Sequence, residues 1–480
     1  MYDLIVIGDD LSSHVSAAYA SGNGLNTLLI AESGLGGLNL IGDFIFNIDP
    51  TPITGLGREQ PGLSVLIELG IVLPEDHALP INTAFQVILP DQRIDFHSDP
   101  VLLQAELARE FPELADDIKD FYNIASDASD VFQNWLTEHP QLQPNHPQEY
   151  LAYLKILPYI IRYKYGAVHF DKILSKNASL EKAWEAQQAL LSFNNEDLFS
   201  FASAFQYCSP MRGVSFFPQG KQFLFNALIE KIESNKGLYL NHYQVSSITR
   251  NKTIDLEIKG SDGATTNVSG LNLVVSTKSD ALSLLQQSRQ HLNLSDWLRP
   301  VRVIYRPFTI FLGIAATCLP EQMARHVAVV SDVTRDLYDN NLIILETSLL
   351  EKDKAPAHAK TSLTATVYLP DQQEKWTPDA LKREADSILA RLDVFFPFLR
   401  DHVEMSDIDK AIDISSESRK VVSPKYKVRN SFFTSFAAKN NKTLYDNVFL
   451  TGTSLLSDAG FDGEILSGKN AALRVIQKRS

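Results

Sequence analysis

The apolar positions fall into distinct textures along the chain. Leu4, Ile5, Val6 and Ile7 run without interruption to Gly8, the pattern of a parallel strand covered on both faces. Leu11, Val15, Ala18 and Tyr19 then recur at helical spacing, and Ala17, Ala18 and Ala20 are small enough for close packing until Gly22 and Gly24 end the helix. Thr27 to Ala31 repeats the buried-strand pattern and closes at Glu32. Strand, helix and strand in this order predict a βαβ unit opening a doubly wound sheet.

From about residue 76 to residue 212 the period becomes helical and rich in aromatics, as in LLQAELAREF, DIKDFYNIASDASDVFQNWL and LEKAWEAQQALLSF, with few strands expected. A helix, FLFNALIEKIES, stops at Gly237. YLNHYQVSSITR, TIDLEIKG and LNLVVSTKSD then alternate and turn fully apolar, predicting a ββ excursion that returns to a central strand. Residues 300 to 440 mix strands (VIYRPFTIFLGIA, NLIILETSLL, SLTATVYLP) with the helix ALKREADSILARLDVFF. NVFLTGT reads as a strand entering a Gly turn, and a helix from Ile465 to Gln477 closes the chain.

Length and composition narrow the class. The 480 residues, 44% hydrophobic and 21% charged, exclude disordered and collagenous chains and predict two or three packed lobes. Lys plus Arg is 44 and Asp plus Glu is 58, so 44 − 58 gives −14, against a protein that tracks a nucleic-acid backbone. Cys208 and Cys318 are distant and without CxxC spacing, so both are expected to be buried apolar residues. Eleven histidines, His97, His242 and His402 among them, show no metal-binding spacing, and no GxSxG elbow or Cys/His nucleophile arrangement is present. The longest nearly uncharged stretch, Pro307 to Pro320, is too short for a bilayer, and MYDLIV has no basic leader region. A cytoplasmic location is expected.

Four segments together resemble the flavin-dependent amine oxidase and phytoene desaturase-like superfamily, which includes retinol saturases and, more distantly, the Rab GDP-dissociation inhibitors. They are YDLIVIGDDLSSHVSAAYASGNGLNTLLIAES, then GLGGLNLIGDFIFNIDPTPITGLG with its double glycine and its Phe46, Asn47, Pro50 turn, then FFPQGKQFLFNALIEKI with the following ββ unit, and NVFLTGTSLLSDAGFDGEILSGKNAALRVI. MARHVAVV and FFPFLRDHVEMSDI add likeness to desaturase-type members. The resemblance implies an α/β fold in which a doubly wound FAD/NAD(P)-binding Rossmann-type lobe (1–75, 213–285 and 441–480) interleaves with an α+β substrate lobe (76–212 and 286–440). It also implies FAD, held through Gly8, Asp10, Leu11, Ser12, Glu32, Gly37, Val245, Gly452, Thr453, Gly463, Glu464 and Ile465. The implied activity is that of an oxidoreductase adding or removing hydrogen at a carbon–carbon bond of a long apolar substrate. The cofactor carries such chemistry, so no side-chain base is required.

The residues at the nucleotide fingerprint depart from its chemistry. Glycines there give a tight turn, let the backbone approach pyrophosphate and pack the helix on the strand. This chain has Gly8, Asp10 and Ser13 at those places, with Asp9 alongside, Leu38 where the family has an arginine, and Thr453 where it has an acid. A carboxylate about 4 Å from a phosphate charge costs roughly 4 kcal/mol at an effective dielectric near 20, or about a thousandfold in affinity. Glu32, the expected ribose partner, is kept. Asp9 and Asp10 equally suit the helix as N-terminal caps, and Gly460, Gly463 and Gly468 suit turns and packing. The alternative function is thus a flavin-free binding or scaffold protein that keeps both lobes.

YLAYLKILPYIIRYKYGAVHF combines tyrosines with Lys155, Arg162 and Lys164, and Pro158 is expected to kink or divide it. Two readings fit. It is a pair of core helices with basic residues reaching to solvent, or a peripheral membrane contact through residues 150–165. Either function predicts an elongated apolar cavity between the lobes.

Overall fold

The computed structural model describes residues 1–34, 36–57, 59–73, 79–138, 147–195, 198–217, 220–286, 301–348, 360–427 and 440–479. The first sheet is built where the sequence places its uninterrupted apolar runs. Five parallel strands lie in the order Leu238–Asn241, Thr27–Ala31, Tyr2–Ile7, Thr265–Ser276, Val448–Thr451. The Thr265–Ser276 strand is long enough to serve twice. Its first half pairs antiparallel with Ile254–Gly260, itself paired with Tyr243–Arg250, and its second half runs beside Tyr2–Ile7. Leu4, Ile5, Val6 and Ile7 are fully buried because helices cover one face and the antiparallel arm covers the other.

On the helical face the Leu11–Gly22 helix packs against Gly460–Arg479 and Gln222–Ser234. The small residues Ala17, Ala18 and Ala20 and the bare Gly468, whose Cβ would lie 2.9 Å from Val15 Cβ, allow that close approach. The closing helix is five residues longer at its start than the apolar period indicates, beginning at Gly460.

The second sheet is antiparallel apart from one pair. Its order is Val403–Ser406, Arg302–Ala315, Lys360–Pro370, Leu342–Thr347, His326–Val330, Thr83–Ile88, Arg93–His97, with Lys425–Lys427 also on Arg302–Ala315. The last two strands, and the short Leu79–Ile81, lie within residues 76–212, where few strands are expected; at six, five and three residues they are too short to stand out against the helical period around them. The Pro378–Phe395 helix covers one face through Leu381, Ala385, Ile388 and Leu392. Cys208 is buried as expected, but Cys318 is only partly so.

A layer of helices, Ala115–Glu138, Pro147–Leu174, Ala178–Leu191 and Phe201–Cys208, completes the molecule. Pro158 does not divide its segment; one 28-residue helix passes through it. Proline removes one backbone donor and crowds the preceding turn, and the buried face, Ile156, Ile160, Tyr163, Ala167, Phe170 and Leu174, holds the helix to its neighbours on both sides of that break. Phe121 is the hub of the layer. Its ring stacks on Phe170 at 4.3 Å and 10° and meets Tyr163, Trp184, Phe199 and Tyr207 at steeper angles. Phe121→Ala is therefore expected to cost about 3–5 kcal/mol, seen as a lower urea midpoint for the near-ultraviolet aromatic signal.

Candidate functional site

The end of the first strand and the start of the first helix are drawn together by backbone need. Gly8 (φ 151) lets the chain turn where a Cβ would lie 2.5 Å from that of Ser276. Asp10 is the helix N-cap, its carboxylate accepting from the Ser13 N–H at 3.1 Å and the Ser13 hydroxyl at 2.5 Å. Asp9 does not cap. Its carboxylate crosses to the turn after the second strand and accepts from the N–H groups of Glu32, Ser33 and Gly34 at 2.8–3.3 Å, and from the Ser33 hydroxyl. Each aspartate thus takes backbone donors that a bound anion would need.

The partners of Asp10 come from far along the chain. The segment Ser276–Ser279, leaving the end of the central strand, places every one of its side chains in this region. Ser276 Oγ donates to Asp10 at 2.7 Å, Lys278 Nζ lies 3.7 Å from the same carboxylate, and Ser279 Oγ donates to Glu32 at 2.5 Å. Thr277 accepts from the Ser454 hydroxyl at 2.8 Å. Lys278 is 3% exposed; its ammonium also donates to the Val421 carbonyl (2.8 Å) and Ser423 (3.2 Å) and sits 3.5 Å from Glu464. A second buried pair, Lys221 with Asp49 at 2.5 Å, lies beyond it.

Burial would raise the Asp10 carboxyl, but Lys278 and the Ser13 and Ser276 hydroxyls outweigh it and hold the group below its ordinary value. Burial would lower Lys278, and Glu464 with Asp10 holds it above. Glu464 is raised, because burial exceeds the relief it receives from a lysine shared with Asp10. The isolated carboxylate facing a phosphate, as the sequence suggests, is therefore not what the fold contains. Asp10 is fully buried and already neutralised, so its obstacle to an anion is occupation of the space and donors rather than bare repulsion.

The other expected cofactor contacts are likewise turned inward. Leu11 and Ile465 are core residues, and Val245 packs with Ile5 and Ile7. Ser12 is buried in the helix start. Glu32 is buried and held by Ser279. The Gly37 N–H donates to Gln222 Oε1 at 2.8 Å. Leu38 sits in the short strand Leu38–Ile41, opposite Asn47. Gly452 backs onto Thr277, and Thr453 shares a 3.2 Å hydrogen bond with Tyr426. Gly463 lets the last helix close on the Leu456 carbonyl, a packing role. Sequence reading passed over Lys278, Ser276 and Ser279; the available signal was the run STKS, four polar residues directly after the apolar Leu273, Val274 and Val275.

A cavity of 860 Å³ opens beside this region between the two sheets. Its wall includes Glu32, Lys259, Ser279, Arg306, Arg419 and Lys420, so it is polar and charged rather than the elongated apolar chamber expected. The Arg306 guanidinium pairs with Asp371 at 2.6 Å and Lys420 with Asp280 at 2.8 Å. Arg419 lies over the Trp376 ring at 4.0 Å; burial and the neighbouring Arg306 lower it.

Deeper in the junction, burial pushes Asp462 up to about 7 despite the Gly62 N–H donating at 2.7 Å, and burial does the same to Glu346 despite its hydrogen bond from Asn47. Lys425, buried against the Ala189 and Ser192 carbonyls at 2.5 and 2.6 Å, is lowered to about 7.

Two expectations follow. Lys278→Met leaves Asp10 and Glu464 without their shared cation and is expected to lower stability by about 3–5 kcal/mol near neutral pH. The loss should shrink as pH is lowered, because burial makes Glu464 take up a proton more readily than an ordinary carboxylate, as urea titrations at two pH values would show. For Asp462 the folded value lies above the unfolded one, so its contribution is complete below about pH 4 and is lost as pH rises through about 7. Asp462→Asn should flatten that part of the stability–pH curve.

No protein-family model matches the chain, and no curated protein does. Solved structures do match over its whole length. An oxidoreductase from Methanosarcina mazei aligns with a TM-score of 0.56 at 13% identity, covering 99% of both chains. Cyclohexylamine oxidase from Brevibacterium oxydans gives 0.53 at 12%, covering 100% of this chain and 99% of that one. A Rab GDI from Plasmodium falciparum gives 0.52 at 10%, with 100% and 98% covered. At such identities the likeness is one of fold: the chain has the α/β fold shared by flavin-dependent amine oxidases and Rab GDI proteins.

Proposed function

We propose that this chain is a flavin-independent binding protein on the amine oxidase fold. The observation that carries the reading is the buried chain of charges Asp10, Lys278 and Glu464, which stands where the fingerprint would bring backbone to pyrophosphate. FAD does not fit these residues as they are arranged. Seating its pyrophosphate requires Asp10 to release the Ser13 N–H, and Lys278 to leave at least one carboxylate without a partner. Disrupting such a buried pair costs about 3–5 kcal/mol, a factor of roughly a hundred to several thousand in affinity. Asp9 on the adjoining turn and Ser279 on Glu32 close the neighbouring contacts in the same way.

The cavity beside the charge chain is the binding site in this reading. Its lining of Lys259, Arg306, Arg419 and Lys420 against Glu32, Asp280 and Glu417 suits a small polar molecule bearing negative charge, and a long apolar substrate finds no matching surface there. What the chain's residues supply is placement: Arg306 from one sheet, Arg419 from the Ile408–Val421 helix packed on its Arg302–Ala315 strand, and Lys259 from the other sheet. Bridging two lobes is an arrangement by which occupancy could be sensed by both.

The protein is expected to purify without flavin absorbance between 350 and 500 nm (about that range for an oxidised flavin) and to retain no added FAD through gel filtration. Raising ionic strength and changing Asp10→Asn should both leave FAD binding weak, since neither clears the space; this separates occupation from charge repulsion. Asp10→Gly combined with Lys278→Ala is the change expected to admit some FAD. Stoichiometric yellow flavoprotein from the unmodified chain would overturn the reading and restore the oxidoreductase.

A further inference from the structure

The Pro147–Leu174 helix is apolar on two opposite faces. Ile156, Ile160, Tyr163, Ala167 and Phe170, at spacings of three and four, are buried against the Ala115–Glu138, Ala178–Leu191 and Phe201–Cys208 helices. Leu154, Leu157, Ile161, Tyr165 and Val168 repeat the same spacing half a turn away, and they face outward; Ile161 is 60% and Tyr165 83% exposed. Ile156 and Ile160 are buried, as the core-helix reading requires, and Ile161 is not. A surface helix of a globular protein ordinarily shows one apolar stripe. The second stripe spans about 21 Å, at 1.5 Å per residue over fourteen residues.

The charges beside the outer stripe decide what it suits. Lys155, Arg162 and His169 lie seven residues apart and so form one exposed line along its edge; Lys164 stands on the other edge, and Lys172 continues the stripe itself. From Leu154 to Leu174 there are four basic residues (155, 162, 164 and 172) against one acid, Asp171, so 4 − 1 gives +3 in a chain whose net charge is −14. Arg162 lies 2.8 Å from Asp127 and His169 4.0 Å from Asp117, both pairs exposed to water, where such contacts are weak. Among the described residues Lys155, Lys164 and Lys172 make no ion pair. A second copy crossing antiparallel at Ile161 would bring Arg162 against its own image, like charge on like. An anionic lipid surface meets both features at once, taking the apolar side chains at the acyl boundary and the ammonium groups at the phosphates.

We infer that the outer face of this helix docks the protein on anionic membranes, lying in the interface plane without crossing it. No helix among the described residues is long and apolar enough to cross a membrane. The inference stands on the surface alone and is independent of what the inter-lobe cavity holds.

The test is co-sedimentation of the full chain with vesicles of phosphatidylcholine containing phosphatidylserine, against phosphatidylcholine alone. Binding to the first only, weakened by salt, is expected. The triple change Lys155→Gln, Lys164→Gln, Lys172→Gln should reduce it by about a hundredfold, at roughly fivefold per lysine, and Ile161→Glu should abolish it. These side chains are exposed, so the urea midpoint should stay within the range of ordinary surface changes, which separates lost docking from lost folding. Failure to sediment with either vesicle overturns the inference, as does binding unaffected by Ile161→Glu. A dimer in solution that Ile161→Glu dissociates, without vesicle binding, overturns it in favour of a second copy.

Discussion

The Lys278 ammonium, shared by Asp10 and Glu464, is the interaction on which the junction of this molecule depends. It joins the first helix, the end of the central strand and the start of the closing helix, three elements that come from the beginning, middle and end of the chain. It also reaches the Val421 carbonyl and Ser423 at the end of the Ile408–Val421 helix. Two buried carboxylates and one cation are tolerable only with hydroxyl and carbonyl partners, and Ser13, Ser276, Ser423 and the Val421 carbonyl supply them. The consequence is a groove whose polarity is self-contained: donors and acceptors that would otherwise meet a ligand meet each other.

The fold was legible because its signals are local. The unbroken run from Leu4 to Ile7, the Gly8 turn and the second run to Ala31 define a βαβ unit without reference to any distant residue. The helix through Phe121 is equally plain from its period. Reading failed where the deciding partner is remote. Asp10 looks like an unpaired carboxylate until Lys278 is placed beside it, and Asp9 looks like a helix cap until the turn at Ser33 folds over it. Pro158 has a local tendency to break a helix, and the buried flanking face overrides it. The segment around Ile161 shows the limit of periodicity in another way, since apolar positions on two faces blur into a run with no clear amphipathic phase.

At the candidate site the sequence shows which residues surround the first turn but not which partners they take. Of the residues expected around FAD, Glu32 lines the cavity beside Lys278, Leu11, Val245 and Ile465 are core residues, and Gly37, Glu32 and Thr453 bond to Gln222, Ser279 and Tyr426. The fold therefore constrains which residues line the groove, and the side chains at a few positions determine whether it is a socket or a seam. The same division explains why structures with names as different as cyclohexylamine oxidase and Rab GDI share this architecture.

The Thr265–Ser276 strand has a bearing on the order in which the molecule can be made. Tyr2–Ile7 lies between Thr27–Ala31, made at once, and Thr265–Ser276, made about 245 residues later. At some 5–20 residues per second, the nascent chain carries the open edge of Tyr2–Ile7, and Asp10 without Lys278, for roughly ten to fifty seconds. Ribosomal delivery of residues 270–275 closes that edge, and residues 276–279 just behind it bring Lys278 together with Asp10. Birth of the N-terminal unit thus waits on its middle, and the chain is exposed to chaperones and to aggregation for the length of that delay.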